Sequence, residues 1–243
     1  MTNHRFAWIF VLLLAAAAAC GGASSAAKTE PLRYHFKEQY LAEVPAQARA
    51  EMQAAQAEYK RALQENRKVE SELASSKRDL QAAEAEASRA HRQKDAADSA
   101  GSSAEKSGDW QKTNLAKRDQ RVAELTARAA DQKVDMVKAR RSWLEEYVKF
   151  TRENAFAAEA GYELAKARVA RANNIAPPDF AYQVYVDQYE LRRGKAEKLK
   201  GPADGRKETF LEEKKDYQAK RREENEARGV DTAAKSPESD ESQ

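Results

Sequence analysis

Few residues of this chain have the types and spacing that chemistry requires. The sequence contains one cysteine, Cys20, and three widely separated histidines, His4, His35 and His91. A thiolate metal cage or a disulfide framework needs several sulfurs, and a histidine site needs further ligands nearby. The sequence has no glycine-rich phosphate loop, nucleophile elbow or HExxH motif. We therefore expect a protein that is not an enzyme and that uses neither a metal nor a cofactor.

The numerous charged residues are better explained as helix surfaces than as a site. The 40 acidic and 43 basic residues are interleaved, and the formal net charge is only +3. Alternating signs of this kind are typical of solvated helix faces with ion pairs. Because nucleic-acid binding depends on an excess of positive charge, we expect no nucleic-acid partner.

The first twenty residues carry the most specific signal in the sequence. An apolar run at 6–19 follows Arg5 and ends at Cys20. A transmembrane helix needs about 20 apolar residues, so this run is too short for a comfortable span and is typical of a secretory signal. Small residues directly before a cysteine resemble the lipobox of bacterial lipoprotein precursors, although Ala17 stands where the family usually carries Leu. The resemblance implies that residues 1–19 are a signal peptide and that Cys20 becomes an acylated N-terminus.

The same resemblance implies a location in the cell envelope. Cys20 would carry more than one acyl chain, as stable membrane anchoring requires. Residues 20–30 are predicted to be a flexible tether, and ten such residues reach roughly 17 Å. Gly21 stands where the retention signal of enteric inner-membrane lipoproteins has Asp. We therefore expect an anchor in the outer membrane, facing the periplasm; the alternative is an ordinary cleavage site that leaves Cys20 as a free thiol.

The mature chain has the composition and periodicity of an all-α protein. Glycine and proline are absent from 46–100, and Gly161 is the only interruption in 109–176, which predicts two helices of roughly 80 and 100 Å. A turn at 99–109 would join them as an antiparallel coiled-coil hairpin. Twelve positions on the first helix alternate in steps of three and four and predict its seam. They are Met52, Ala55, Tyr59, Ala62, Asn66, Val69, Leu73, Ser76, Leu80, Ala83, Ala87 and Ala90.

The second helix has its own seven-residue repeat. Its members are Leu115, Val122, Ala129, Met136, Trp143 and Phe150. With the turn centred in 99–109, Trp143 would lie near Asn66, and Val169 near Tyr40. Asn66 has two interpretations, a buried amide that sets register or a solvated break in the seam.

Four further segments complete the predicted organisation. We expect a short amphipathic helix at 31–44, broken at Pro45, and a third helix that packs at the base of the hairpin and ends at 201–202. Thus 31–200 would be the helical domain, 201–228 a charged and solvated helical extension, and 229–243 a disordered tail. Most aromatic residues would gather in one core at the base, near the anchor, and a thinner alanine-rich hairpin would project from it.

The tip of the hairpin is the predicted contact point for a protein partner. Ser102, Ser103 and Trp110 lie there, farthest from the anchor; the alternative is a mobile loop with Trp110 folded onto the first helical turn. The coiled coil could also pair between chains as a homo-oligomer. Residues 162–200 look like small coiled-coil lipoproteins of Gram-negative envelopes. The sequence thus favours a lipid-anchored periplasmic scaffold, spacer or docking arm, with a holdase chaperone with helical arms as the alternative.

Overall fold

The computed structural model describes residues 30–175, 177–178 and 180–229, so Cys20 and the tail after residue 229 lie outside the described residues. The chain divides into Met1–Pro31 and Leu32–Gln243, and the following account concerns the second unit. Its described residues form helices and no strand, which confirms the all-α prediction.

Three long helices make up this unit. They are α1 (Ala50–Lys106), α2 (Trp110–Ala172) and α3 (Tyr182–Arg228), preceded by two short 3₁₀ helices at Glu38–Glu43 and Ala46–Arg49. The helices α1 and α2 form the predicted antiparallel hairpin, and α3 packs antiparallel along α2. With 63 residues, α2 is about 95 Å long.

The turn of the hairpin is shorter than predicted. Residues 99–106 continue α1, and Ser107, Gly108 and Asp109 alone connect it to α2. Gly108 has a φ of 68°, a left-handed conformation that favours glycine. The Asp109 carboxylate caps α2 by accepting hydrogen bonds from the backbone nitrogens of Gln111 and Lys112, at 3.0 and 3.1 Å. The serines at 99–103 are therefore helical because the capping chemistry lies further along the chain.

This later turn changes the pairing of the two helices. Thr151, eight positions beyond the predicted Trp143, faces Asn66, and its hydroxyl donates a 3.1 Å hydrogen bond to the Asn66 side-chain oxygen. Val169 packs with Val44 and Met52, and Leu41, the residue after Tyr40, borders the same cluster. Asn66 itself is buried, which agrees with the first of its two interpretations.

The predicted seam of α1 is correct, whereas the repeat on α2 also contacts the third helix. All twelve seam positions of α1 are buried or half-buried. On α2, however, the Trp143 ring stacks on Phe210 of α3, with ring centroids 5.6 Å apart and planes 6° apart. The seam toward α1 is a neighbouring stripe that includes Ala130, Val134 and Val137. Met136 and Trp143 of the repeat also border clusters that contain residues of α1, so the repeat lies at the boundary between the two helices that α2 contacts.

The predicted helix end at Gly201 and Pro202 is also wrong, since α3 continues through both residues. Proline normally excludes the preceding residue from helical conformation through contact with its Cβ, and Gly201 has none. Ala203, which is 1% exposed, anchors the segment in the interior. Residues 206–228 are mostly exposed, but they belong to α3 and pack along α2 through Phe210 and through Glu224, which is 2% exposed.

The segment before α1 is only partly helical. Residues 32–37 have no regular secondary structure and form a strap across the helices, and the short 3₁₀ helix at Glu38–Glu43 replaces the predicted helix at 31–44. The break before Pro45 is present, because Val44 is extended. Leu32 and Phe36 are buried, so the strap contributes to the core despite its lack of regular structure, and Val44 after it is buried as well.

The aromatic residues form two groups instead of one core at the base. Phe36 lies edge to face against Phe180 at 5.9 Å and also contacts Tyr185, which gives a base cluster around the strap. The stack of Trp143 on Phe210 belongs to a second cluster further along α2. Between Trp143 and the base-cluster residue Ala167 lie 24 helical positions, or about 36 Å.

Candidate functional site

The predicted contact residues lie together at the turn end of the hairpin. Ser102 and Ser103 are on the last turns of α1, where their hydroxyls donate to the carbonyls of Asp98 and Ser99 at 3.1 and 3.0 Å. Trp110 is the first residue of α2 and is 75% exposed. The interpretation in which Trp110 folds against the helix is therefore wrong, and the tip presents a large aromatic ring to solvent.

The third helix ends before it reaches the tip. Arg228, its last residue, donates from Nη2 to Thr126 Oγ1 at 3.0 Å, and Gly229 ends the helix with a φ of 73°. Sixteen positions separate Thr126 from Trp110, or about 24 Å along α2. Over this distance the described part of the chain has two helices instead of three, so the projecting arm is shorter than predicted.

Small and polar residues hold the two tip helices together. Gly101 is buried, and the Gln120 side chain lies so close that a Cβ at Gly101 would overlap with it. Thr113 donates from Oγ1 to the Ala104 carbonyl at 3.3 Å. The large apolar side chain of Leu115 lies outside this seam and is 60% exposed. The tip therefore gains little from apolar burial and leaves its apolar groups at the surface.

Exposed ion pairs cover the rest of the tip. The Lys94 ammonium lies 2.7 Å from Asp98, and this hydrogen bond raises the pKa of Lys94. Lys117 lies 3.7 Å from Glu105 across the two helices. Exposed pairs contribute only about 0–1 kcal/mol each to the free energy of unfolding. These charges therefore determine the chemical character of the tip surface and add little stability.

A cavity of about 250 Å³ lies beneath the last turns of α3. Residues from all three helices surround it, including Ala90 of α1, Ala129 of α2, and Tyr217 and Arg221 of α3. The end of α3 is thus less tightly packed than the alanine seam between α1 and α2.

At the opposite end of the hairpin, two buried polar side chains bind the backbone of the strap. Gln188 Oε1 accepts from the backbone nitrogens of Arg33 and Tyr34, both at 3.0 Å, and its Nε2 donates to the Tyr34 carbonyl. Glu163 Oε2 accepts from the Phe36 nitrogen at 2.7 Å. These four hydrogen bonds replace the backbone pairing that the extended strap lacks.

Glu163 also forms a buried ion pair that the sequence analysis missed. Its Oε1 lies 2.8 Å from Lys166 Nζ, and the two side chains are 6% and 4% exposed. Lys166 also lies 4.1 Å from the centre of the Tyr162 ring. The available signal was the position of these two opposite charges three residues apart within 162–170, where Arg168 is the one other charged residue.

Burial and charge also act on the neighbouring Glu159. Burial raises the pKa of this carboxyl, and the charge of Glu163 raises it further, whereas His35 and Arg192 act in the opposite direction. Burial likewise raises the pKa of Tyr59, and the charge of Glu159 raises it further. The described acidic and histidine residues form no group arranged to hold a metal ion.

Fold and sites together define an all-α helical-hairpin protein with a third helix packed along most of the hairpin. Comparison with protein-family models, with curated proteins and with solved structures finds no match. Among the described helices, none is long and apolar enough to cross a bilayer.

Proposed function

We propose that this protein is a lipid-anchored, non-enzymatic component of the bacterial cell envelope that acts as a spacer, scaffold or docking arm. The observation that carries the proposal is the position of Cys20. It directly follows the apolar run of a secretory signal, and only eleven residues separate it from Leu32, which is buried at the base of the hairpin. An acyl anchor at Cys20 would hold the protein in the outer membrane, facing the periplasm.

The attachment of the strap supports an anchoring role. Residues 32–37 connect the proposed tether to the helices, and any pull on the anchor would pass through them. Their backbone hydrogen bonds to Glu163 and Gln188 and the packing of the buried Phe36 ring against its aromatic neighbours resist such a pull at several points. A chain that only had to reach the membrane would not need a clamped strap.

The remaining buried charges also support a structural role. Glu153 of α2 lies 2.9 Å from Arg192 of α3, and both side chains are 7% exposed. Glu224 accepts from Thr126 at 3.1 Å and pairs with Arg228. These groups join helices to one another. The tip, with its exposed Trp110, is the part that we propose contacts another protein.

Replacement of the cysteine tests the proposal. Full-length protein with Cys20→Ser should lose incorporation of labelled palmitate and move from the membrane to the soluble periplasmic fraction. Ser25→Ala, a change in the same segment that keeps the thiol, should behave as the wild type. If the Cys20→Ser protein stayed with the membrane, the anchoring proposal would be wrong.

Fractionation of the wild-type protein on a density gradient tests the membrane assignment. We expect it to move with outer-membrane markers. Recovery with inner-membrane markers would limit the proposal to an envelope lipoprotein and contradict its outer-membrane part.

A further inference from the structure

The apolar stripe that seats α3 continues past the end of α3. Two residues mark this stripe: Trp143 stacks on Phe210 of α3, and Ala129 faces the cavity that Tyr217 of α3 also lines. Ala129 is 1% exposed, whereas Leu115, two heptads nearer the tip, is 60% exposed. The same surface is thus covered by a helix in the bundle and open at the tip.

The opposite wall of this surface also continues along α1. Glu86, Arg89 and Gln93 line the cavity beneath α3. One heptad beyond Arg89 and Gln93 lie Ala96 and Ala100, small residues on which another helix can approach closely. We define the tip groove by six residues that are exposed or half-buried, Gln93, Ala96, Ala100, Leu115, Arg118 and Val122.

The charges along the groove indicate what its occupant must carry. Two positions of α2 that lie a multiple of seven residues after Arg118 bind charged groups of α3. Gln132 donates to the Glu213 carboxylate at 2.6 Å, and Glu153 pairs with Arg192. Arg118 occupies the same flank at the tip and makes no ion pair with the described residues. Its guanidinium is placed to receive a carboxylate from a helix in the groove.

We propose that the tip groove binds an amphipathic helix of a partner protein. The partner helix would run antiparallel to α2 in continuation of α3, with apolar residues spaced three and four apart against Leu115 and Val122 and an acidic residue facing Arg118. Its N-terminus would meet the C-terminus of α3, an arrangement that helix dipoles favour. This proposal rests on the docking function proposed above and identifies the chemistry of the partner.

The shape and chemistry of the groove favour a separate partner over this chain itself. Nearer the base, the same surface of the hairpin already binds a helix with aromatic and acidic side chains, namely α3. The segment 230–243 has only one large apolar residue, Val230. In a second copy, the corresponding face of α3 is already used against its own α2. The available length of about 24 Å fits a helix of about four turns.

Photo-crosslinking in cells tests the groove directly. Benzoylphenylalanine is introduced in the full-length protein at position 115, and in separate variants at 110 and 191. Leu191 is the matched control, because it is 58% exposed on α3, outside the groove. We expect position 115, and not 191, to crosslink to another protein, at a segment with apolar residues three and four apart and acidic residues beside them.

Two substitutions test the contacts, with crosslinking at position 110 as the readout. Leu115→Glu and Arg118→Glu should each lower the yield about tenfold, because a charge in the apolar contact or a reversed charge opposes the partner. Leu191→Glu should leave the yield unchanged. Circular dichroism of each purified variant verifies that the helices are intact.

The other possible crosslinking results contradict either the groove or the docking function. A crosslink from 115 to 230–243 or to a second copy, or equal yields at 115 and 191, would overturn the proposal. A partner captured from 110 but not from 115 would overturn the groove while leaving the docking function in place. If neither position captured a partner, docking itself would be contradicted, and anchoring through Cys20 would still be judged by its own experiment.

Discussion

Replacement of Glu163 by glutamine should destabilise the protein strongly, even though the two side chains have nearly the same shape. Glu163 pairs with the buried Lys166 at 2.8 Å and accepts the Phe36 backbone hydrogen bond at 2.7 Å. Glutamine can still accept one hydrogen bond, but it cannot compensate the ammonium charge. The variant therefore leaves Lys166, which is 4% exposed, with a buried charge whose main counter-ion is gone.

The magnitude follows from the surroundings of Lys166. Removal of one partner from a buried ion pair costs about 3–5 kcal/mol. Lys166 keeps the face of the Tyr162 ring at 4.1 Å and the exposed carboxylate of Glu38 at 3.6 Å. Together these offset about 1 kcal/mol, since both interactions are partly solvated. We therefore expect Glu163→Gln to lower the free energy of unfolding by about 2–4 kcal/mol.

Urea denaturation followed by far-ultraviolet circular dichroism measures this loss. The double variant Glu163→Gln/Lys166→Met removes the stranded charge and should recover most of the stability. Glu146→Gln is the matched control, because Glu146 and Lys149 have the same spacing at 2.7 Å but are more exposed. It should cost at most about 0.5 kcal/mol. A loss for Glu163→Gln as small as that of the control, or no recovery in the double variant, would refute the reasoning.

Two further predictions concern a titrating group and a helical glycine. Burial raises the pKa of the Glu159 carboxyl in the folded state above its ordinary value of 4.5. The folded state therefore binds this proton more tightly than the unfolded chain does, and it loses stability as the pH rises above 4.5. Glu159→Gln should therefore raise the urea midpoint at pH 7, and the gain should disappear below pH 4; an equal gain at both pH values would contradict the assignment. Gly205 lies inside α3 with open space around the position of a Cβ, so Gly205→Ala should stabilise the protein by about 0.5–1 kcal/mol in the same assay. Gly108→Ala is the control and should lower the stability, because a φ of 68° is unfavourable for alanine. A loss of stability in Gly205→Ala would contradict the prediction and would show that the helix needs flexibility at Gly205.

Much of the fold could be predicted because helix periodicity is a local property. The seam of α1 from Met52 to Ala90 was identified residue by residue, since each position depends only on its spacing from the next. The hairpin was predictable for the same reason, as was the proximity of the tip residues Ser102, Ser103 and Trp110. The exposure of Trp110 was not, because it depends on whether another helix reaches the tip.

The errors arose where a distant contact outweighs a local preference. Gly201 and Pro202 have poor helix propensity, yet the burial of Ala203 and the packing on α2 carry α3 through them. The repeat from Leu115 to Phe150 was correctly detected, but periodicity identifies a buried face without identifying its partner. The buried pair of Glu163 and Lys166 was not predicted, because its contribution to stability depends on the strap. Phe36 of the strap is 127 residues away from Glu163 in the sequence.

The sequence by itself determined that this is an all-α protein, that two long helices form a hairpin and which face of α1 is buried, because side chains three and four apart on a helix share one side. It also supplies the signal at Cys20 on which the proposed anchoring rests. Only the tertiary structure decided the pairing of the helices, the continuation of α3 along α2 and the point near Thr126 where α3 ends. These features depend on contacts between residues far apart in the chain, and they create the open groove at the tip.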